Sequence, residues 1–324
     1  IAGHVGADTA GAILAEGPHR GERMQLLVDV GTNAEIVLGD VNRQFAASSP
    51  TGPAFEGAQI SSGQRATAGA IEGVRIDPAT LEPRLKVIGV DPWSDDSSFA
   101  DQVDATGVTG ICGSGIIDVV AEMFLAGIID REGVVQGALT ARTTRVIAEG
   151  RTFSYVLWEH DGTRIAVTQN DIRAIQLAKA ALRAGIDLLV EHAGGPELTD
   201  IRLAGAFGAH IDPLRAMVLG LVPDCPLDGV RSVGNAAGTG AVQALLSRAL
   251  RVEMEQAVRD VVKIETATEP RFQELFVAAM AFPHATAPSP HLGQLVALPE
   301  RMERSERSDG GGRGRRRRRQ EVEA

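Results

Sequence analysis

The segment LLVDVGTNAEIVLGD, residues 26–40, limits the fold most. Two apolar runs flank Gly31-Thr32-Asn33, so a strand turns directly into a second strand, and QFAASS (44–49) predicts a third. Phosphate loops of the G-x-x-x-x-G-K and G-x-G-x-x-G kinds lead from a strand into a helix, and this one does not. The apolar positions Leu27, Val28, Val30, Ile36 and Leu38 predict a hairpin in a mixed sheet, with Asp29 at its open end. A carboxylate there suits Mg²⁺, which takes one or two carboxylates together with phosphate oxygens. Gly31 lets backbone approach a phosphate, while the Thr32 hydroxyl and the turn amides can donate to it. An ordinary type I′ hairpin turn accounts for the same residues equally well.

Further along, GICGSGIIDVVAEM predicts a helix beginning near Ser114, with Ile116, Val119, Val120, Met123 and Phe124 at helical spacing. RVIAEG and FSYVLWEH read as a strand pair before the turn at Asp161-Gly162. Residues 171–193 predict a long helix capped by Thr168 or Asn170, with Ile172, Ile175, Ala178, Leu182, Ile186 and Leu189 on one face and Gly194-Gly195-Pro196 at its end. DIRLAG (200–205) reads as a short buried strand, and residues 232–250 as a small-residue stretch that becomes one long helix. Apolar residues are 44% of the chain and aromatics only 4%, so the core is built from Ala, Val, Leu and Ile, as suits helices on a sheet. The 324 residues predict one large or two closely packed domains.

Three further stretches carry candidate chemistry. Leu203-Ala204-Gly205-Ala206-Phe207-Gly208 ends a strand in small residues against which a flat adenine ring can lie; a simple strand-to-helix turn is the plainer alternative. Gly113-Ser114-Gly115 opens a helix whose free amides attract anions, though tight packing explains such glycines too. Asn235 to Ala241 is a run of small residues that lets two subdomains approach and pivot, and a plain buried helix would look similar. Cys112 reads as a small buried residue, since no partner His lies nearby.

The net charge of −10 is uneven. Residues 300–324 hold nine Arg and six acidic residues, net +3, which leaves −13 on the body. An acidic body argues against general nucleic-acid binding, because neutralisation of phosphates drives such binding. The tail, taken from residue 299, cannot bury a core and is expected to be disordered and solvated, with nucleic-acid binding or a localisation signal as the less favoured reading of its five consecutive Arg; 1–298 are expected to form the folded domain. Two cysteines, Cys112 and Cys225, exclude a disulfide framework. No apolar run of membrane-spanning length and no signal peptide is visible, so a cytoplasmic, membrane-free protein is expected. The start at Ile1 reads as a cut from something longer.

A phosphate hairpin, then a glycine-rich turn, then a small-residue helix is the motif order of the actin-like ATPases. More narrowly, LLVDVGTNAEIVLGD, TGPAFEGAQISSGQRATAGAIEG, GICGSGIIDVVAEM, TQNDIRAIQLAKAAL and LAGAFGAHIDP resemble the C-terminal domain of the reductive activators of corrinoid proteins, over residues 1 to about 285. That family's hairpin reads D-I-G-T-N-G-E-I; here Ala34 replaces the glycine. The resemblance implies an α/β, ribonuclease H-like fold of mixed sheets flanked by helices, with its N-terminal part missing. It implies ATP-driven reduction of cob(II)alamin to cob(I)alamin on a corrinoid protein of a methyltransferase system. The electron carrier would be a [2Fe–2S] cluster in an N-terminal domain that this chain lacks, and the first phosphate hairpin would lie upstream, so the chain alone is expected to bind nucleotide weakly. By the same carry-over Asp29 would hold Mg²⁺, Gly31, Thr32 and Asn33 would touch phosphates, and Gly205, Ala206, Phe207 and Gly208 would flank adenosine. Ser114 and Lys179, the latter on a polar helix face, would be weaker contacts. Glu56 would orient water, with a turn-stabilising role equally open. A homodimer is compatible with this reading. A small-molecule kinase or a non-enzymatic nucleotide switch of the same superfamily are the alternatives, although no segment resembles a sugar-kinase substrate loop.

Overall fold

The computed structural model describes residues 6–205 and 208–299. Its centre is a six-stranded mixed sheet. The three expected strands are β1 (Gln25–Val30), β2 (Ala34–Gly39) and β3 (Gln44–Ser49), consecutive and antiparallel. On the outer flank of β1 lie β10 (Ile201–Ala204) and β11 (Val230–Gly234), both parallel to it, and β12 (Val261–Lys263) runs parallel to β3 at the other edge. Strand alternation sends Leu26, Val28, Val30, Ile36 and Leu38 to one face of this sheet and Leu27, Val37 and Ala46 to the other. The first face is covered by α4 (Gln169–His192), the second by α1 (Ala7–Glu16), α6 (Ala236–Leu246) and α7 (Arg248–Asp260). Sheets buried on both faces need apolar residues at successive positions, which is why β1 reads as a nearly continuous apolar run.

Between β3 and α4 the chain builds an inserted subdomain. It comprises β4 (Ala70–Ile76), β5 (Pro83–Val87), α2 (Phe99–Thr106), β6 (Gly110–Ile111), α3 (Gly113–Leu125) and the antiparallel sheet of β7 (Val146–Glu149), β8 (Thr152–His160) and β9 (Thr163–Thr168). The expected pair 146–160 is therefore two strands of three. Helix α3 packs on β4 and on α5 (Pro213–Leu219). Ion pairs join the two parts: Arg215 on α5 reaches Glu122 of α3 at 2.5 Å, and Arg75 of β4, paired with Asp118 of α3 at 2.6 Å, also reaches Asp212 at the cap of α5 at 3.4 Å. Beyond β12, α8 (Phe272–Ala279) lies against α4, and α9 (Leu292–Leu295) contacts α5.

Helix α4 matches expectation closely. Thr168 accepts from the Asp171 amide while Asp171 accepts from the Thr168 amide, a reciprocal capping box. The six apolar residues predicted for its inner face are all buried. The segment 232–250 differs from the single helix expected. It opens as β11 and breaks again at Ser247, whose extended backbone ends α6 and whose hydroxyl accepts from the Leu250 amide to start α7. Serine competes for backbone amides in this way, which favours a cap over a helix interior. The glycines of α6 have a local cause: a Cβ on Gly240 would lie 1.8 Å from the Gly11 carbonyl oxygen of α1, so the two helices meet backbone to backbone. Among the described residues no helix is long and apolar enough to cross a membrane. The Arg-rich tail, 300–324, lies outside the described residues.

Candidate functional site, a strand-end cleft at β1 and β10

Strands β1 and β10 run parallel, so their C-terminal ends emerge together, with Asp29 paired to Ala204. Ligands of open sheets gather at such strand ends. The loop Gly31-Thr32-Asn33 leaves β1 there, and Gly205 leaves β10. Gly205 packs against the end of β1: a Cβ on Gly205 would lie 2.6 Å from Asp29 Oδ1 and 2.7 Å from the Val30 carbonyl oxygen, and Gly205 has φ +98°. Only glycine fits there, on both counts. The Gly205 amide donates to the Gly234 carbonyl, and the Ser232 hydroxyl donates to the Gly208 carbonyl at 2.5 Å. A third strand end, β11, thus closes the same corner just before Asn235 caps α6. Gly205 and Asp29, far apart in the chain, therefore lie against each other at the strand ends. Ala206 and Phe207 lie outside the described residues.

The hairpin loop is not a type I′ turn. That turn needs positive φ at both central residues, and Gly31, Thr32 and Asn33 all have φ outside the left-handed region. Instead the loop is stapled from one side: Thr51 Oγ1 donates to the carbonyls of Gly31 (2.7 Å) and Thr32 (3.0 Å), and the Gly52 amide donates to Thr32 O (2.9 Å). Its carbonyls face the staple, while the amides of Thr32 and Asn33 have no partner among the described residues. Thr32 and Asn33 are exposed. Ala34, in place of a glycine, is fully buried as the first residue of β2, where no positive φ is required. Glu56 ends the turn Pro53–Glu56 and accepts a 2.6 Å hydrogen bond from Thr32 Oγ1. It therefore stabilises the turn and also stands at the loop tip.

The Asp29 carboxylate has neither a basic partner nor a hydrogen bond among the described residues. Burial, and then the nearby Asp8 carboxylate, push its pKa up. Across the β1–β2 pair stands Glu35, pushed up to about 7 by burial first and then by Asp8 and Asp29. A half-buried carboxylate among carboxylates, without a counter-ion, is stabilised by any cation brought to it. Among the described residues no group of three or more His, Cys, Asp or Glu forms a metal cage. Glu35 and Asp8 were not among the residues expected here, because only the fold brings α1 to the end of β1.

Two expected contacts are not at this corner. Lys179 does not lie on a polar face: it is 0% exposed, and its ammonium donates to the carbonyls of Ala281 (2.5 Å) and Pro283 (2.9 Å) with the Phe282 ring 4.9 Å away. Burial, and then Arg183, hold its pKa well below the lysine range. Its amine is engaged in tying the 281–283 loop to α4 and is not presented to a nucleotide. Ser114 lies in the first turn of α3, 3.4 Å from Cys112 Sγ, on the inserted subdomain, and shares no hydrogen bond with either strand-end loop.

The family model described as the C-terminal domain of RACo, the ASKHA domain, matches residues 23–292. The corrinoid activation enzyme RamQ of Eubacterium limosum is 37% identical over 293 residues, covering 87% of this chain and 46% of that protein. The Co(II) methylated amine-specific corrinoid protein reductase of Methanosarcina barkeri is 31% identical over 210 residues, 61% of this chain and 34% of that one. A solved reductive activator for corrinoid, iron–sulfur protein superposes with a TM-score of 0.74 at 32% identity, covering 86% of this chain and 43% of its own. The chain spans less than half the length of each of these relatives. With its match to the domain model over most of its length, the chain belongs to the family of RACo C-terminal, ASKHA-type domains.

Proposed function

We propose that this chain is the nucleotide-binding part of an activator that uses ATP to drive reduction of cob(II)alamin to cob(I)alamin on a corrinoid protein serving a methyltransferase. The observation that carries the reading is the contact of Gly205 with Asp29 and Val30, which joins the two strand-end loops in one corner. The names of the relatives, an activation enzyme and a reductase of corrinoid proteins, supply the class of target. A bound magnesium nucleotide supplies a hydrolysable phosphoanhydride. This chain's residues would do the rest: Asp29 would hold the cation, the free amides of Thr32 and Asn33 would orient phosphate oxygens, and Gly205 and Gly208 would flank adenosine. Glu56, beside the Thr32 hydroxyl, stands where it can orient water.

The [2Fe–2S] cluster of such activators needs four thiolates. Cys112 and Cys225 are both buried, and burial, followed by neighbouring aspartates, pushes the Cys225 thiol up to about 12. These residues do not fit a cluster, so the electron carrier is assigned to a segment outside this chain. The test is Asp29→Asn in an activator that carries this chain with its electron-donating segment, followed by corrinoid absorbance during reduction with ATP. Loss of ATP-dependent reduction with an unchanged iron–sulfur spectrum is expected; undiminished reduction removes Asp29 from the mechanism.

A further inference from the structure

The carboxylate at the loop tip also does something that phosphate binding alone does not require. Thr32 has a single hydroxyl proton, and that proton is given to Glu56 Oε1 at 2.6 Å. A phosphate seated on the loop needs the same donor, and it would sit within roughly 5 Å of the Glu56 carboxylate, a like charge. Glu56 is exposed, yet the residues before it are anchored: Ala54 and Phe55 are each 1% exposed, and the turn they belong to packs against α3 and α4.

The residues after Glu56 form a bonded path into the inserted subdomain. The amides of Gly57, Ala58, Ile60 and Gly63 donate to the carbonyls of Ala54, Pro53, Gly57 and Ile60, at 3.1, 3.2, 3.2 and 2.9 Å. Ser61 donates through its amide (2.8 Å) and its hydroxyl (3.0 Å) to Asp171 Oδ1, whose other oxygen accepts from the Thr168 amide at the start of α4. The carbonyl of Ser62 accepts from the Ile111 amide and the Gln64 amide donates to Ile111 O, which ties the segment to β6.

We propose that the Thr32–Glu56 hydrogen bond is an autoinhibitory latch. It holds a carboxylate at the loop tip until a nucleotide's terminal phosphates take the Thr32 hydroxyl, and its release loosens residues 57–63, so that the inserted subdomain senses phosphate occupancy. This rests on the reading of residues 31–33 as a phosphate loop. The transfer is an exchange of one hydrogen-bond acceptor for another at Thr32 Oγ1, with no covalent change.

Amide hydrogen exchange on the whole 324-residue chain tests it, alone, with Mg·ATP and with AMP, which carries adenosine without terminal phosphates. In the wild type, Mg·ATP should speed exchange at Gly57, Ala58, Ile60, Ser61 and Gly63, and AMP should not. In Glu56→Ala these amides should exchange fast from the outset and be insensitive to Mg·ATP, while β10 stays protected. This variant should bind Mg·ATP roughly threefold more tightly, since an exposed charged contact is worth about that factor. Glu56→Gln, which keeps an acceptor, should restore resting protection and the response to Mg·ATP. Binding of Mg·ATP without faster exchange at 57–63, an equal response to AMP, or weaker nucleotide binding by Glu56→Ala would each overturn the latch while leaving the phosphate loop standing. Absence of nucleotide binding in wild type and variants alike would remove the loop assignment and the latch together.

Discussion

Gly205 shows how one residue sets the geometry of the site. A methyl group there meets Asp29 and Val30, and φ is +98°, so Gly205→Ala should cost about 2–3 kcal/mol of stability by urea denaturation. Gly234 is the control: its φ is +66° but nothing lies within 4 Å of its Cβ position, so Gly234→Ala should cost only about 1 kcal/mol. Glu35 makes a second prediction at this scale. Its folded pKa of about 7 lies above the ordinary 4.5, so protonation is favoured by folding. Its contribution is complete below pH 4.5 and is lost as pH rises through about 7. Glu35→Gln should therefore flatten the fall in stability across that window, by an amount on the order of 1 kcal/mol once solvent screening is allowed for. Asp29 was legible in the sequence because a carboxylate closing an apolar strand is locally conspicuous. The perturbation of Glu35 was not, since its causes, burial first and then Asp8 on a helix folded back from the start of the chain, arise only in the fold.

At the scale of elements, local signals carried the hairpin and α4, and long-range contacts decided the rest. Strand alternation and turn residues fix β1–β3, and a cap followed by helical spacing fixes α4. Lys179 was misplaced because helical periodicity assigns a lysine to the solvent face, whereas its partners are carbonyls 102 and 104 positions away. Lys179→Met should cost about 1–3 kcal/mol by leaving those carbonyls unpaired in the interior, and should leave Mg·ATP affinity unchanged. A loss of affinity with unaltered stability would return Lys179 to the binding site. The α1–α6 contact behaves similarly. Gly240→Ala gains up to about 1 kcal/mol in helix propensity but forces Gly240 off the Gly11 carbonyl, so net destabilisation is expected in thermal melts. The break at Ser247 escaped a periodicity reading because apolar spacing continues through it and only the serine marks the cap.

For the whole molecule, the order β11-β10-β1-β2-β3-β12 matters because it sets two distant glycine loops side by side and leaves the inserted subdomain hanging from the segment that staples the hairpin. Motif order in the sequence anticipated that arrangement. The staple itself, from Thr51 through Glu56 to Asp171, is a set of side-chain geometries with no periodic signature. This corner is proposed to bind a magnesium nucleotide through Asp29 and the 31–33 loop. Calorimetric titration of the chain with ATP, with and without Mg²⁺, in wild type and Asp29→Asn, tests it most directly. Binding should require Mg²⁺ and weaken about tenfold or more in the variant, as expected for loss of a charged ligand contact. Equal affinity of the two proteins, or binding indifferent to Mg²⁺, would contradict the account.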